Sequence, residues 1–463
     1  MQLEILPPEV LDEVASLIPR SADVARLGLT NRSMHSLAQP HLFRHIGISF
    51  SSVPLLASAL KADPAAAGMC RSLHLTPLGG DEEPDYNEVN DALVFIFDSF
   101  AKHGGLLAVR WYCFSTTDYG FRELVWEAIG QNHKSLRVLE VLEMYAMASR
   151  EQEDWLSVTR PFYPNLRVLR INLPRAHDWP GEEFQKMLTS NCPMLEELVL
   201  KMPSYYSPVG LDLASNTHPH LRVFEIAAQP DNPYTKRADF LTRHPHIERL
   251  TLLSQFMRPP DEEKSSLRAH FNLEDMASYA LTPYGRDIVH LRLLDVPYLS
   301  EVLTRGAIHS LARTLRCLEL FRQDFRSFED LLEHIGPVLA EMIWLEEFAV
   351  GGMNVSPGWG WPAWEERHLR GLLRALSQFS TISLRALRFF SYSGTGAPLS
   401  SDFLEDLGAV PPRLQYLCWD VTEAGRMVYL VDGRRARLLE PGCVPWVRSR
   451  TDWTGESVLD HLA

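Results

Sequence analysis

The feature that most constrains the fold of this chain is a short apolar phrase that recurs along it. The clearest copy lies in residues 163–174, YPNLRVLRINLP, where Leu166, Leu169 and Ile171 stand at relative positions 0, +3 and +5. The last two alternate with polar residues, which is typical of a short strand with one buried face. Twelve copies are found, and their first positions are Cys70, Leu106, Leu136, Leu166, Leu195, Leu221, Ile247, Leu291, Leu315, Leu345, Leu384 and Leu414. The chain is therefore expected to consist of repeated units that each contain one strand.

The spacing of the copies indicates the kind of repeat. The intervals run from 24 to 44 residues, and the four between Leu136 and Ile247 are 30, 29, 26 and 26 residues. Units of this length with these offsets match the leucine-rich repeat, in which each unit supplies one strand and one return helix. The two longest intervals, 44 residues after Ile247 and 39 residues after Leu345, require insertions. The sequence predicts an α/β fold, an irregular leucine-rich-repeat solenoid of about ten to twelve units.

Residues 6–46 differ from the rest, because their pattern predicts three short helices. The first helix begins at Pro7-Pro8, since a missing N–H costs little in the first helical turn. The third helix is expected to be capped by Thr30 or Asn31 and closed by Pro40. A segment of about 40 residues rarely buries enough apolar surface to be stable alone. Its surplus apolar side chains therefore need either the repeats or a second protein.

This N-terminal segment resembles an F-box. The resemblance covers residues 4–47 and rests on Leu6-Pro7-x-Glu9-Val10-Leu11-x-x-Val14, Leu17-Ile18-Pro19, Asp23-Val24 and Leu27-x-Leu29. The ending, residues 37–43, is similar to the endings of many fungal F-box proteins. The chain departs from the family at Thr30-Asn31-Arg32-Ser33-Met34, where a Val-Cys-(Lys/Arg)-x-Trp phrase is common and Met34 replaces the Trp.

The resemblance implies a function. F-box proteins with leucine-rich repeats are substrate receptors of SCF-type cullin–RING ubiquitin ligases, in which the F-box docks the Skp-family adaptor and the repeats hold a protein substrate. Ubiquitin transfer belongs to the RING subunit and its conjugating enzyme, so this chain is expected not to be an enzyme. The residues implied for the F-box core and its adaptor-binding surface, undivided between the two roles, are Leu6, Pro7, Val10, Leu11, Ile18, Leu27, Leu29, Leu37 and Leu42.

Two other interpretations stay open. In the first, the helical segment only caps the first repeat, and the chain is a repeat scaffold that binds a protein without recruiting a ligase. In the second, the chain is an enzyme with a site on the repeat insertions. That interpretation has no motif behind it, because the sequence contains no GxSxG, P-loop, HExxH or strand-associated GxGxxG pattern. No cofactor is therefore expected.

Charge and cysteine content restrict the partners and the compartment. The net charge of −14 argues against nucleic acid and anionic membranes as partners. The six cysteines contain no CxxC pair, so neither a zinc site nor a disulfide framework is expected. The N-terminus lacks the basic region of a secretory signal, and no apolar run reaches the roughly 20 residues of a membrane span. These features predict an intracellular chain, cytoplasmic, nuclear or both.

Two surfaces are candidates for substrate contact. The insertion at residues 356–364 carries Trp359, Trp361 and Trp364 among Pro and Gly, and Trp is enriched at binding hot spots. The alternative is that the three rings pack back onto the repeats. The second candidate is the strand face that carries the polar positions between the phrase residues, such as Glu319. Its alternative is an ordinary solvated strand face.

The C-terminal part of the chain departs from the repeat. Residues 427–439 are expected to form a hairpin, because Asp432-Gly433 suits a two-residue turn with positive φ. A solenoid exposes its last core layer unless something covers it, so this tail is expected to be a cap. The predicted domains are an F-box at 1–47, the solenoid at 48–424, and a hairpin with a capping tail at 425–463.

Overall fold

The fold is mixed α/β and divides into two compact units. One unit consists of residues 1–221 and 227–236, and the other of residues 222–226 and 237–463. The computed structural model describes residues 7–16, 21–76, 85–113, 123–143, 158–172, 181–201, 217–227, 243–253, 288–294, 313–321, 328–352, 366–379, 383–391, 398–421 and 425–439.

Ten α-helices lie in these ranges, seven in the first unit and three in the second. They are α1 (Pro8–Ser16), α2 (Ser21–Gly28), α3 (Arg32–Arg44), α4 (Val53–Ala62), α5 (Tyr86–Lys102), α6 (Glu123–Gly130), α7 (Gly181–Lys186), α8 (Phe328–Glu341), α9 (Glu366–Ser377) and α10 (Ser401–Glu405). Among the described helices, none combines the length and the apolar character that crossing a lipid bilayer requires.

Fifteen strands lie in the same ranges, and twelve of them carry the repeated phrase. They are β1 (His45–Ser49), β2 (Ser72–Thr76), β3 (Ala108–Cys113), β4 (Val138–Glu143), β5 (Val168–Asn172), β6 (Glu197–Lys201), β7 (Val223–Ala227), β8 (Arg249–Leu253), β9 (His290–Leu294), β10 (Cys317–Phe321), β11 (Glu347–Gly352), β12 (Ala386–Ser391), β13 (Tyr416–Val421), β14 (Gly425–Asp432) and β15 (Arg435–Leu438). Each predicted phrase overlaps one of the strands β2 to β13, and the phrase on β9 is shifted by three residues, as described below.

The strands pair in chain order. In the first unit β1 to β6 are parallel, each next to its predecessor. In the second unit β7 to β13 follow the same rule. Parallel neighbours need a long crossover connection, and helices lie in several of these connections, such as α5 between β2 and β3 and α9 between β11 and β12.

Rows of apolar side chains on one face of the strands form the core of each unit. In the first unit the second phrase positions pair in register and are buried: Leu73, Val109, Leu139, Leu169 and Leu198. In the second unit the corresponding row is Phe224, Leu250, Leu291, Leu318, Phe348, Leu387 and Leu417. Burying one such side chain contributes roughly 1.5 to 3 kcal/mol, so the repeated phrase accounts for much of the packing energy.

Helix α3 and strand β1 differ in part from the sequence prediction. Asn31 caps α3 as predicted, because its side-chain oxygen accepts the N–H of Met34 at 2.9 Å. The helix runs through Pro40 to Arg44 instead of closing at Pro40. Met34 and Ala38 on α3 are buried, and this packing opposes the roughly 3 kcal/mol that an interior Pro costs. Strand β1, which was not predicted, begins at the next residue and pairs with β2.

Strand β9 corrects the phrase that was placed at Leu291, Leu294 and Val296. The register pairs Leu291 with Leu250, a second phrase position. Ile288 is fully buried three residues earlier, where the first position belongs. The prediction therefore placed the phrase three residues too late in this repeat. Ile288 and Leu291 have the same spacing as Leu291 and Leu294, so the local pattern fits both phases.

The predicted hairpin is present, with its turn one residue later. Strands β14 and β15 pair antiparallel, with Asp432 opposite Arg435. The two-residue turn is therefore Gly433-Arg434, not Asp432-Gly433. Gly433 has a φ of 60°, a conformation that Gly adopts without a Cβ clash. Strand β14 also pairs antiparallel with β13, so the row of parallel strands in the second unit ends there.

Candidate functional site

Helix α1 has one buried side and one exposed side. Leu11 and Ala15 are buried, while Val10 and Val14 are 43% and 40% exposed. Residues four apart lie on the same side of a helix, so the two valines form one exposed apolar strip. Of the residues predicted for the F-box, Leu11 therefore belongs to the internal core, and Val10 is accessible to another molecule.

The other predicted adaptor-binding residues have different environments. Leu29 follows α2 and is 83% exposed. Pro7 is also exposed. The half-buried members of the set are Leu27, Leu37 and Leu42. Leu6 and Ile18 lie outside the described residues. The exposed members, Pro7, Val10 and Leu29, are the ones that a partner can reach without unfolding the segment.

Contacts between the first three helices hold this surface in place. Nε2 of His41 on α3 lies 2.7 Å from Oδ1 of Asp12 on α1. Helix α2 packs closely on α3 at Gly28, where a Cβ would come within 3.2 Å of the Cβ of Ala38. The position of α1, and with it that of Val10, is therefore set by α3.

The face of the strands opposite the apolar core carries buried ion pairs in the first unit. Arg110, Glu140 and Arg170 lie opposite one another on β3, β4 and β5. Glu140 Oε2 is 3.2 Å from Nε of Arg110, and its Oε1 is 2.9 Å from Nη1 of Arg170. Nε of Arg170 also donates to Glu197 on β6. The charges alternate from strand to strand, as favourable cross-strand pairs require.

A second buried network is centred on Glu319 of β10. Nε2 of His290 donates to Oε1 of Glu319 at 2.6 Å. Oε2 of Glu319 is 2.7 Å from Nη2 of Arg388 and 3.3 Å from Nε of Arg292. Glu347 extends the network, with its Oε1 3.4 Å from Nη1 of Arg388. All five side chains are buried.

These networks correct part of one prediction and reveal residues that sequence reasoning missed. The polar positions between the phrase residues were predicted to be exposed, and Arg167, Arg222 and Arg316 are exposed. The positions within the strands are not, because Arg170, Glu225 and Glu319 are all less than a tenth exposed. The alternating charge of in-register positions such as Arg110, Glu140 and Arg170 is the signal that could have indicated ion pairing. Its recognition requires comparing the polar positions of consecutive phrases, which the predicted solenoid places side by side.

The pKa of the Glu319 carboxyl reflects its partners. Burial alone would raise this pKa, because it penalises the charged form. The Arg388 and Arg292 guanidinium groups and the bond from His290 outweigh burial, and the pKa lies well below its ordinary value. Glu319 is therefore an ionised carboxylate that balances buried positive charge. It is not suited to the proton transfers of a general acid at neutral pH.

His290, Cys317 and Glu319 offer three buried ligand atoms within 4.8 Å of one another. Nitrogen, sulfur and oxygen donors of this kind suit zinc. The electrostatics do not favour a cation, because both oxygens of Glu319 are engaged by cationic or N–H donors and two guanidinium groups adjoin it. A zinc ion needs contacts of about 2.0 Å to nitrogen and oxygen, whereas His290 and Glu319 already bond directly. We assign this cluster to packing of the strands.

Comparison with known proteins does not assign the chain to a family. No model of a protein family matches the chain, and no curated protein sequence matches it. The predicted substrate-contact residues Trp359, Trp361 and Trp364 lie outside the described residues, so their role stays a prediction. The strongest candidate site in the described ranges is the exposed apolar strip of α1 with Leu29.

Proposed function

We propose that the chain is a non-catalytic substrate-recognition subunit of an SCF-type ubiquitin ligase. Helices α1 to α3 form an F-box that docks a Skp-family adaptor, and the strands from β2 onward belong to an irregular leucine-rich-repeat solenoid that binds a protein substrate. The receptor accelerates transfer by holding the substrate close, because this raises the effective concentration of substrate lysines near the conjugating enzyme that carries ubiquitin.

The observation that carries this proposal is the exposed strip of Val10 and Val14 on α1. Both valines lie within the LPPEVLDEV stretch that resembles an F-box opening. Their neighbours Leu11 and Ala15 satisfy the internal packing of α1, so the segment does not need the valines for its own core. Apolar side chains that a fold neither buries nor requires are candidates for an interface. Leu29, exposed beyond α2, adds a third.

The parallel strands support the second half of the proposal. Each predicted phrase supplies one strand, and in each unit consecutive strands are neighbours. This arrangement, with helices in several connections, is the one expected of a leucine-rich-repeat solenoid.

Point variants of the full chain test the proposal. We expect the unaltered chain to co-purify with a Skp-family adaptor through gel filtration. Replacing Val10 and Val14 together by Glu should abolish co-purification, because two carboxylates would have to be desolvated at the interface. A deletion that ends near Ser49 is a poorer test, since it also removes β1.

A control is Leu55→Glu, which places one such carboxylate at a 72% exposed apolar residue of α4. Leu55→Glu should retain the adaptor, and all variants should keep the urea unfolding midpoint of the parent. If the valine variant still carries the adaptor, or the unaltered chain never does, the assignment of α1 to α3 as an F-box is wrong.

One observation favours the alternative, a leucine-rich-repeat scaffold that is not coupled to a ligase. Helix α3 ends at Arg44 and β1 begins at His45, so the helical segment runs directly into the strands, as a cap would. Absence of adaptor binding by a stably folded full chain would support this function.

A further inference from the structure

The turn before β11 in the second unit carries an exposed apolar pair. Ile343 and Trp344 lie between α8 and β11 and are 46% and 55% exposed. The corresponding turn positions are Arg313-Thr314 before β10 and Pro412-Arg413 before β13. Burial of an indole ring is strongly favourable, so an exposed Trp in an ordered turn calls for an explanation beyond folding.

The turns before β10 to β13 lie side by side. The backbone N–H of Glu346 donates to the carbonyl of Arg316 at 2.8 Å, and that of Arg385 to the carbonyl of Glu346 at 2.7 Å. The N–H of Gln415 in turn donates to the carbonyl of Arg385 at 2.8 Å. Neighbouring strands are about 4.8 Å apart, so turns that contain basic residues lie on both sides of the turn that carries Trp344.

This edge is basic although the chain as a whole is acidic. Arg313, Arg316, Arg385 and Arg413 are all exposed there, and Glu346 is the acidic residue at the same edge positions among the described residues. At these edge positions of the described residues, four guanidinium groups stand against the carboxylate of Glu346, and the exposed Glu341 lies two residues before Ile343. The whole chain has a net charge of −14.

Among the residues that the structure describes, the contacts within the edge compensate this charge only in part. Nη1 of Arg316 is 3.6 Å from Oε1 of Glu346, and Nη1 of Arg385 is 4.0 Å from its Oε2. Both distances are long for charge-assisted hydrogen bonds. The shorter contacts are to neutral groups: Arg385 donates to Gln415 at 3.1 Å, and Arg413 donates to the hydroxyl of Ser383 at 3.1 Å.

We propose that this edge, termed the Trp344 edge and made of Ile343, Trp344, Arg313, Arg316, Arg385 and Arg413, binds an acidic protein segment that contains an apolar side chain. Ile343 and the indole ring cover the apolar side chain, and the guanidinium groups pair with the flanking carboxylates. Trp and Arg are the residue types most enriched at interface hot spots. The overall negative charge would repel a long polyanion such as a nucleic acid, which favours a short acidic peptide stretch.

This inference names the class of substrate for the proposed receptor, and it depends on that function only in calling the partner a substrate. Adaptor binding involves α1 to α3 in the first unit, whereas the Trp344 edge lies in the second unit. Failure of one proposal is therefore distinguishable from failure of the other.

Selection from a displayed library of random 12-residue peptides on the full chain tests the inference. The selected peptides should be enriched in Asp and Glu next to an apolar residue. A synthetic peptide from this pool should bind Trp344→Ala roughly 30-fold more weakly, the loss expected at a hot spot. The double reversal of Arg385 and Arg413 to Glu should shift the selection towards Lys-rich and Arg-rich peptides.

Matched controls are Leu124→Ala, an exposed apolar residue of α6, and Arg374→Gln, an exposed Arg of α9. Both should bind the selected peptide as the parent does, and every variant should retain the adaptor. A pool without acidic enrichment, or equal binding by Trp344→Ala, would overturn the inference. Selection of no peptide together with Trp344-dependent binding of a 20-nucleotide single-stranded DNA would assign the edge to nucleic acid instead.

Discussion

At the scale of single residues, the carboxylate of Glu319 is the centre of a buried network in the second unit. It accepts from His290 and adjoins the guanidinium groups of Arg292 and Arg388, and all four groups are buried. Removing one partner of a buried ion pair leaves uncompensated charge and costs about 3 to 5 kcal/mol. We therefore expect Glu319→Gln to lower the free energy of unfolding by that amount in urea titrations.

Glu346, in the turn directly before β11, provides a matched control for this prediction. Glu346 has Arg316 and Arg385 as partners at 3.6 and 4.0 Å, and these arginines are exposed. Exposed pairs contribute at most about 1 kcal/mol, so Glu346→Gln should change stability by less than that. If the two substitutions lower the free energy of unfolding equally, burial of the Glu319 network does not determine how much this carboxylate stabilises the fold.

Residue environments also set a limit on what the sequence predicts about the adaptor surface. Val10, Leu11 and Val14 all fall on the apolar stripe of one helical pattern. Which of them faces inward depends on where α3 packs, and the periodicity of α1 carries no information on that. The stripe therefore predicted the helix, whereas the division into buried Leu11 and exposed valines required the tertiary structure.

At the scale of elements, the repeated phrase predicted the strands well, because the alternation of apolar and polar residues arises within a single strand. Two apolar residues that alternate with polar ones on a pleated strand meet one buried face. Strand β1 was missed because Ile46 and Ile48 follow directly on a segment with a helical pattern, where no turn marks the change. Burial of the opposite strand face was missed because a polar residue on a strand is compatible with a solvated position or with a buried ion pair, and the sequence of one phrase does not distinguish the two.

The corrected phase of β9 leads to a prediction at this scale. Ile288 is fully buried, whereas its neighbour Val289 is half-buried. Truncating a buried Ile leaves a cavity, so Ile288→Ala should lower the free energy of unfolding by about 2 to 5 kcal/mol. Val289→Ala should cost clearly less. A larger loss for Val289→Ala, measured by the same chemical denaturation, would show that the phase of β9 is misassigned.

At the scale of the whole molecule, buried ionised carboxylates make stability depend on pH in a defined direction. The pKa of Glu319 is lower in the folded chain than its ordinary value near 4.5. The unfolded chain therefore binds the proton more readily, and acid favours unfolding. The stabilising contribution of Glu319 is complete above the unfolded pKa and is lost as the pH falls below it, by about 1.4 kcal/mol per pH unit.

A comparison of the parent with Glu319→Gln isolates this contribution from that of all other carboxyl groups. The groups that face Glu319 are His290, Arg292 and Arg388, and the two arginines keep their charge throughout the acid range. Because His290 also bonds to Glu319, the comparison is confined to pH values below about 5, where the difference in unfolding free energy between parent and variant should shrink as the pH falls to 3. A difference that stays constant to pH 3 would mean that Glu319 is not held ionised by its buried partners.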